Sequence, residues 1–471
     1  MFHCQTLLVA VTVATAMATR ASAMSFTLAR LTDNTTDEST SLVERQLALD
    51  LLGRPHIAFT GSSPSGYQGV FHAWKEGTWR MQVIAADTMP NHSPAVGCGP
   101  DGFTHILHHH WTDEGSTIQH VPVFADSVGP SEAAFQGEYF DWPSLAVGPD
   151  NMLHAVCAGS SGTLYARHDT SGWSPPETIA AGRMASIAID SLLECHVVYD
   201  DVDSTWTSQV WYVHGTAGNW SAPEWLAGGN QRSARNASLT VARDGRLFVA
   251  YEKNTGTDLG IELRVRTGGS WSSPEWVGQG LAPSVAADSG SVPYVAHWGL
   301  WGANGLLLSF RREMPGWTQV TVDSVARSWG EMTYRIGLAI DSENDIHVTY
   351  CSRDERGGED SEMWYAEADA STDVAGSQWP GGVRLVSFPN PVRGSVRFRF
   401  ELPTSGSVRL DVHDVRGRLM QKVSLGTWSR GMHDAVWEGR SGDGRRLASG
   451  VYLLRLSTTT GSATRKIIVQ R

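Results

Sequence analysis

The chain has 471 residues, a net charge of −12 at pH 7, 41% apolar residues and 18% charged ones. That composition excludes a disordered chain, and the length exceeds one ordinary hydrophobic core, so several domains or one large repeat are expected. The acidic balance argues against nucleic acid as a partner, while 49 glycines and 19 tryptophans with few helically spaced apolar runs point to an all-β chain rich in turns.

In chain order, Leu7 to Ala18 is an apolar run too short to span a bilayer, followed by the small residues Ala21-Ser22-Ala23. Residues 1–23 read as a signal peptide, although no Lys or Arg precedes the apolar run, and the mature chain is expected to start near Met24. No later apolar run reaches about 18 residues. The expected location is therefore secreted or at the outer cell surface, with no transmembrane segment after processing.

Seven twelve-residue segments align without gaps from residues 45, 94, 143, 185, 237, 283 and 336. The third and fifth positions are apolar, as in Leu145 and Val147 or Ile187 and Ile189, with a small residue usually between them, as period-two alternation requires. A turn follows, then a second strand (HAVC at 154, HVVY at 196, HVTY at 347) and a third (TLYARH at 163, VWYVH at 210). Several units add a fourth strand led by Trp79, Trp173, Trp220, Trp271 or Trp317. Four short strands per unit and seven units predict a seven-bladed β-propeller over residues 24–370. The last unit lacks a clear fourth strand, and SFTLARLT at 25–32 is expected to supply it and close the ring.

The stretch HILHHHW at 105–111 looks like a metal motif. His105, however, occupies the twelfth repeat position, which is also His at 56, 154, 196 and 347 but Phe248 and Tyr294 elsewhere, so it reads as a packing slot. His108 falls in the slot of Phe59, Tyr199 and Tyr251, and only His109 and His110 stay available for function. No metal site and no cofactor is assigned; calcium is considered at the DDVD run, 200–203, which lacks a full loop with its distal Glu. Cys98, Cys157, Cys195 and Cys351 show no CxxC pattern and read as buried thiols, a pairing among the first three staying open.

Loops between second and third strands and between blades are long and varied, so function is expected on that face. Its candidate binding residues are Trp111, Glu138, Tyr139, Asp141, Asp200, Asp201, Glu252, Trp298, Trp301, Arg327, Trp329, Arg353 and Glu355, with the stretch 130–142 read as a crossover. Aromatic rings with carboxylates and arginines suit an extracellular glycan or protein ligand. Paired carboxylates leave glycoside hydrolysis open, and a purely structural surface role is the third reading. No nucleophile elbow, HExxH helix or phosphate-binding loop is present, and no residue is assigned as catalytic. The units resemble sialidase-like, BNR-like secreted propellers, but the Asp-box of that family is missing: the nearest stretch, HDTSGW at 168–173, departs from it, so sialidase activity is not implied.

Residues 371–382 read as a linker, and beyond them the charge changes sign: 16 Lys and Arg stand against 6 Asp and Glu from Val383 to Arg471. Alternating strands at 396, 407, 419, 433, 450 and 465 predict an immunoglobulin-like sandwich over 383–471. The order Asn390-Pro391, the DVRGR turn with Gly417, Trp437-x-Gly439, Gly450-Val451-Tyr452 and Arg465-Lys466 resembles the FlgD-like immunoglobulin-like domain and the type A C-terminal sorting domain of the type IX secretion system. That resemblance implies an outer-membrane export and attachment machinery as partner.

Overall fold

The computed structural model describes residues 24–32, 45–62, 68–86, 91–112, 115–124, 127–137, 139–230, 232–300, 305–310, 316–326, 335–352, 361–368, 384–388, 396–402, 405–414, 418–429, 431–442, 444–458 and 462–469. Among them, seven antiparallel sheets form the propeller and two more form the C-terminal domain. The innermost strands are Leu47–Leu49, Asn91–Cys98, Phe140–Val147, Arg183–Ile189, Ala234–Val241, Leu281–Ala287 and Gly337–Ile340. The small residue inside each repeat has a steric cause. At Gly97, a Cβ would stand 2.8 Å from Val147 of the next blade.

The N-terminal strand Thr27–Arg30 pairs with Glu362–Ala368, so the first and last parts of the propeller share blade seven. Ring closure thus removes a sheet edge. Inside that junction the carboxylate of Glu362, fully buried, accepts from Arg30 and from Thr32 Oγ1, the latter at 2.5 Å.

The fourth strands need one correction. Part of the stretch read as a crossover at 130–142 is the outermost strand of blade two, Glu132–Gly137, paired with Gly115–Phe124. In blades three to five the outer strand is split, with Trp173, Trp220 and Trp271 in two-residue pairings ahead of Glu177–Ala180, Glu224–Gly228 and Glu275–Gln279.

The slot histidines are structural. His154 Nδ1 lies 2.8 Å from Tyr165 Oη, His196 Nδ1 2.7 Å from Tyr212 Oη and His347 Nδ1 2.6 Å from Tyr365 Oη, while His56 and His105 meet His72 and His120 at 3.0 Å. The same tyrosines carry the edge of a tryptophan from the next blade: Trp220 on Tyr165, Trp271 on Tyr212 and Trp79 on Tyr365. Each indole N–H of Trp220, Trp271 and Trp317 donates to the outer-strand glutamate of the preceding blade, Glu177, Glu224 or Glu275. The four described cysteines are free thiols.

In the C-terminal domain, Arg384–Phe388, Val396–Leu402 and Gly431–Trp437 form one sheet; Leu419–Trp428, Gly406–Asp414, Gly450–Ser457 and Ser462–Val469 form the other. The first of these strands, RLVSF, was not anticipated from the alternation. Phe398, Phe400, Leu410, Val412, Trp437, Leu454 and Leu456 fill the core between the sheets. Replacing Glu362 by Ala leaves the Arg30 guanidinium and Thr32 hydroxyl without their buried acceptor, and denaturant titration is expected to show a loss of about 3 kcal/mol. An unchanged midpoint would mean that this junction does not support the ring.

Candidate functional site

One backbone feature recurs at the mouth of the central channel. Inner strands of blades two to six break register at a bulge, where two residues face one on the second strand. The bulge residue has positive φ in every case: Ser93 (52°), Trp142 (52°), Met184 (52°), Asn236 (59°) and Ala282 (49°). None is glycine, so the fold holds each against a local steric cost of about 1–3 kcal/mol. The residue just before each bulge is then paired across to the second strand: His92 to His109, Asp141 to Ala158, Arg183 to Asp200, Arg235 to Glu252 and Leu281 to Trp298.

Across the channel, Arg45 of blade one donates to the carbonyls of Ile187 and Leu239 at 2.7 and 3.0 Å, tying blades four and five to the first. At the mouth a cleft of about 640 Å³ opens over blades four and five, walled by Trp142, Arg183, Asp200, Asp201, Trp206, Arg235, Asn236 and Arg335. Asn236 is its hub. Its backbone N–H donates to Asp200 Oδ2 (2.7 Å), its side-chain amide to Glu252 Oε1 (2.6 Å), and both of its oxygens accept from Arg335.

The two carboxylates differ in kind. Glu252, 1% exposed, accepts from Arg235 Nε at 2.9 Å, from Asn236 and from the Ala282 N–H at 2.7 Å, and is spent on holding the bulges in place. Asp200 has Oδ1 buried with no hydrogen-bond partner among the described residues. Burial chiefly, and the nearby Glu252, push its pKa up to about 7 against the pull of the Asn236 N–H and Arg335. Asp201 accepts from the Val202 N–H, and Asp203 caps its own turn through Thr205 and Thr207. The carboxylates of the DDVD run are thus turned to separate partners.

A second group lies beside the cleft, where Trp111, Tyr139 and Asp141 come together with His92 and His109. Burial lowers His109 to about 3, with neighbouring His92 adding to it, and burial raises Asp141 while His92 opposes the rise. Tyr139 is raised by burial and by the Asp141 charge.

Of the anticipated site residues, Asp200 and Asp201 line the cleft, and Trp111, Tyr139 and Asp141 flank it. Trp298 is corrected: it is 1% exposed and packs edge-on against Tyr350, so it is a core residue, because the second strand of blade six buries both of its faces. Glu252 is likewise buried. Glu138, Trp301, Arg327, Trp329, Arg353 and Glu355 lie outside the described residues. Sequence reading missed His92, Arg183 and Arg235, although each stands two positions before a repeat start, a signal present in the alignment. It also missed Trp142, Trp206 and Arg335. In the C-terminal domain Trp437 and Tyr452 are buried and Gly450 opens a strand, whereas Asn390, Pro391 and Gly417 and the side chain of Lys466 lie outside the description.

Asp200 sets an expected pH dependence. Its folded pKa lies above the unfolded value, so the folded state holds the extra proton and stability falls as pH rises from about 4 to 7. Asp200→Asn removes the buried charge, and its melting temperature should match wild type near pH 5 and exceed it at pH 8. Parallel curves at both pH values would contradict the raised pKa.

Residues 390–462 match the FlgD Ig-like domain family, in agreement with the two-sheet fold found there. No curated protein matches the chain. An ulvan lyase, described as a new family of polysaccharide lyase and bound to -[GlcA(1-4)Rha3S]-, has a TM-score of 0.53 and 11% identity over 71% of this chain and 94% of its own. The α-L-arabinanase of Penicillium chrysogenum complexed with arabinobiose has a TM-score of 0.43 and 13% identity over 73% and 98%. PorZ, an essential surface component of the type-IX secretion system of Porphyromonas gingivalis, has a TM-score of 0.44 and 16% identity over 91% of this chain. The chain spans 59% of the length of that PorZ structure. At such identities the likeness is one of fold: a β-propeller, here joined to a FlgD Ig-like domain.

Proposed function

We propose that this is an exported surface protein whose propeller binds an acidic extracellular glycan in the blade four and five cleft without cleaving it. The observation that carries the reading is the make-up of that cleft. Trp206, in a turn, is 86% exposed and lines the cleft, as does Trp142. Indole faces stack on the apolar faces of sugar rings. Arg183, exposed and in no ion pair with a described residue, lines the same cleft, and Arg235 keeps half of its side chain exposed beside its bond to Glu252. Guanidinium groups bind carboxylate or sulfate substituents in bidentate fashion.

Binding is favoured over hydrolysis because a glycosidase needs two carboxyl groups that both reach the substrate. Glu252 is buried and triply bonded and does not line the cleft, and Asp201, which does, follows Asp200 directly on the strand Cys195–Val202 and so points to the other face. One observation favours the rival: a carboxyl with a pKa of about 7, such as Asp200, suits a general acid. The neighbouring ulvan lyase is named for a sugar chain bound on this fold, a likeness that adds an example and no residue. For the C-terminal domain the same proposal assigns export and attachment by an outer-membrane machinery. Motif order and the basic balance support it, although Trp437 and Tyr452 are also explained by packing alone.

Purified full-length protein on an array of acidic and neutral polysaccharides tests the reading. Trp206→Ala and Arg183→Ala are each expected to weaken binding about tenfold with no change in melting temperature, and added salt to weaken it further. Sugar release that Asp200→Asn abolishes would replace binding with hydrolysis. Retention of a protein ligand but no glycan would remove the glycan class.

A further inference from the structure

We propose that His92, His109 and Asp141 form a binding site for a divalent transition-metal ion of the zinc class. The three side chains are brought together by the repeated bulge: His92 and Asp141 occupy the same position, just before the bulge, in neighbouring blades, and His109 is the cross-strand partner of His92. Each offers one ligand atom, and these atoms lie within 4.8 Å of one another.

The separations are those of a metal-free ligand set, with a hydrogen bond between the two imidazoles and a wider gap to the carboxylate. A tetrahedral ion with bonds of about 2.1 Å sets its ligand atoms about 3.4 Å apart. His109 Nδ1 stands 3.4 Å from His92 Nδ1 and 2.9 Å from His92 Nε2, and His92 Nδ1 stands 3.8 Å from Asp141 Oδ1. The last distance is too long for a hydrogen bond and fits the edge of a coordination polyhedron. Two imidazoles with one carboxylate favour zinc-like ions over calcium, and three protein ligands leave a fourth position for water. His109 is 0% exposed and fixed, whereas the His92 side chain is 32% exposed, so an ion enters from its side. The Trp142 N–H donates to Asp141 Oδ1 at 2.7 Å and orients the carboxylate, whereas Ser93 Oγ, 3.0 Å from His92 Nδ1, and the Trp111 indole N–H, 3.3 Å from His92 Nε2, engage His92 in the metal-free state, and the one on the ligating nitrogen must give way.

Two other groups of similar composition differ in this respect. In His120, Glu132 and His168, Glu132 Oε1 sits 2.9 Å from a nitrogen of each ring, and the other His120 nitrogen meets His105. In Asp190, Glu194 and His196, Asp190 Oδ1 holds the backbone of its own turn and Glu194 holds His214. The first group is satisfied internally as a hydrogen-bond network; in the second, His196 Nε2 stands 3.6 Å from Asp190 Oδ2, but Glu194 is committed to His214.

The site is independent of the glycan reading and is tested without it. Full-length protein stripped with chelator is titrated with zinc by calorimetry, and with cobalt to follow the absorption bands of a tetrahedral site. Wild type should bind one zinc per chain at this position and gain melting temperature on loading. His92→Gln and Asp141→Asn should each weaken binding at least tenfold, as loss of one of three protein ligands requires. Both positions are partly exposed, so the metal-free variants should melt close to wild type. His168→Gln should bind as wild type does. Absence of saturable zinc binding in wild type, binding retained in both variants, or loss of binding in His168→Gln would overturn the assignment.

Discussion

The ring is held by a clasp that runs from blade to blade. A second-strand histidine bonds a third-strand tyrosine, the tyrosine carries the edge of a tryptophan from the next blade, and that indole donates back to an outer-strand glutamate: His154, Tyr165, Trp220 and Glu177 make one, and His196, Tyr212, Trp271 and Glu224 the next. At the closing junction His347 and Tyr365 meet Trp79 of blade one. The histidine Nδ1, the tyrosine hydroxyl and the indole N–H each meet a partner while the rings supply apolar area, so the blades pack in one register. A propeller with sliding blades could not hold a cleft that draws walls from several of them.

With the blades fixed, the bulges decide what faces the channel mouth. Each turns the inner strand by one extra residue, and in blades two to five it sets a polar side chain across from the second strand. Because the bulge is repeated, successive blades present successive groups at one level: His92, Asp141, Arg183 and Arg235. Positive φ at Trp142, Met184 and Ala282 is maintained because the surrounding sheet pairs on both sides of it.

Around Asn236 the same economy of contacts separates two acids that look alike in sequence. Glu252 gathers three donors and behaves as a brace. Asp200, one blade earlier in the same repeat position, keeps one oxygen without a partner among the described residues, and its burial moves it toward neutrality. Position in the repeat is identical; the neighbouring blade supplies the difference.

Period-two alternation and the twelve-residue repeat were enough to define the blades, the closing strand and the packing role of His105, because each depends on local pattern and on a spacing that recurs. The C-terminal strands were legible for the same reason, except RLVSF, too short to alternate visibly. Neither the cleft nor the histidine group could be read that way. Arg183 stands opposite Asp200 in the ladder, and His92 meets Asp141, through bulges and a crossing between blades; the spacing marks the repeat position of Arg183, His92 and Asp141, two before each repeat start, but not their convergence. Trp298 looked like a surface ring and is core, since burial depends on which blade covers a strand. Sequence determined a propeller and a sandwich from alternation; tertiary structure alone decided which polar groups converge, because convergence is set by ring closure and not by neighbours in the chain.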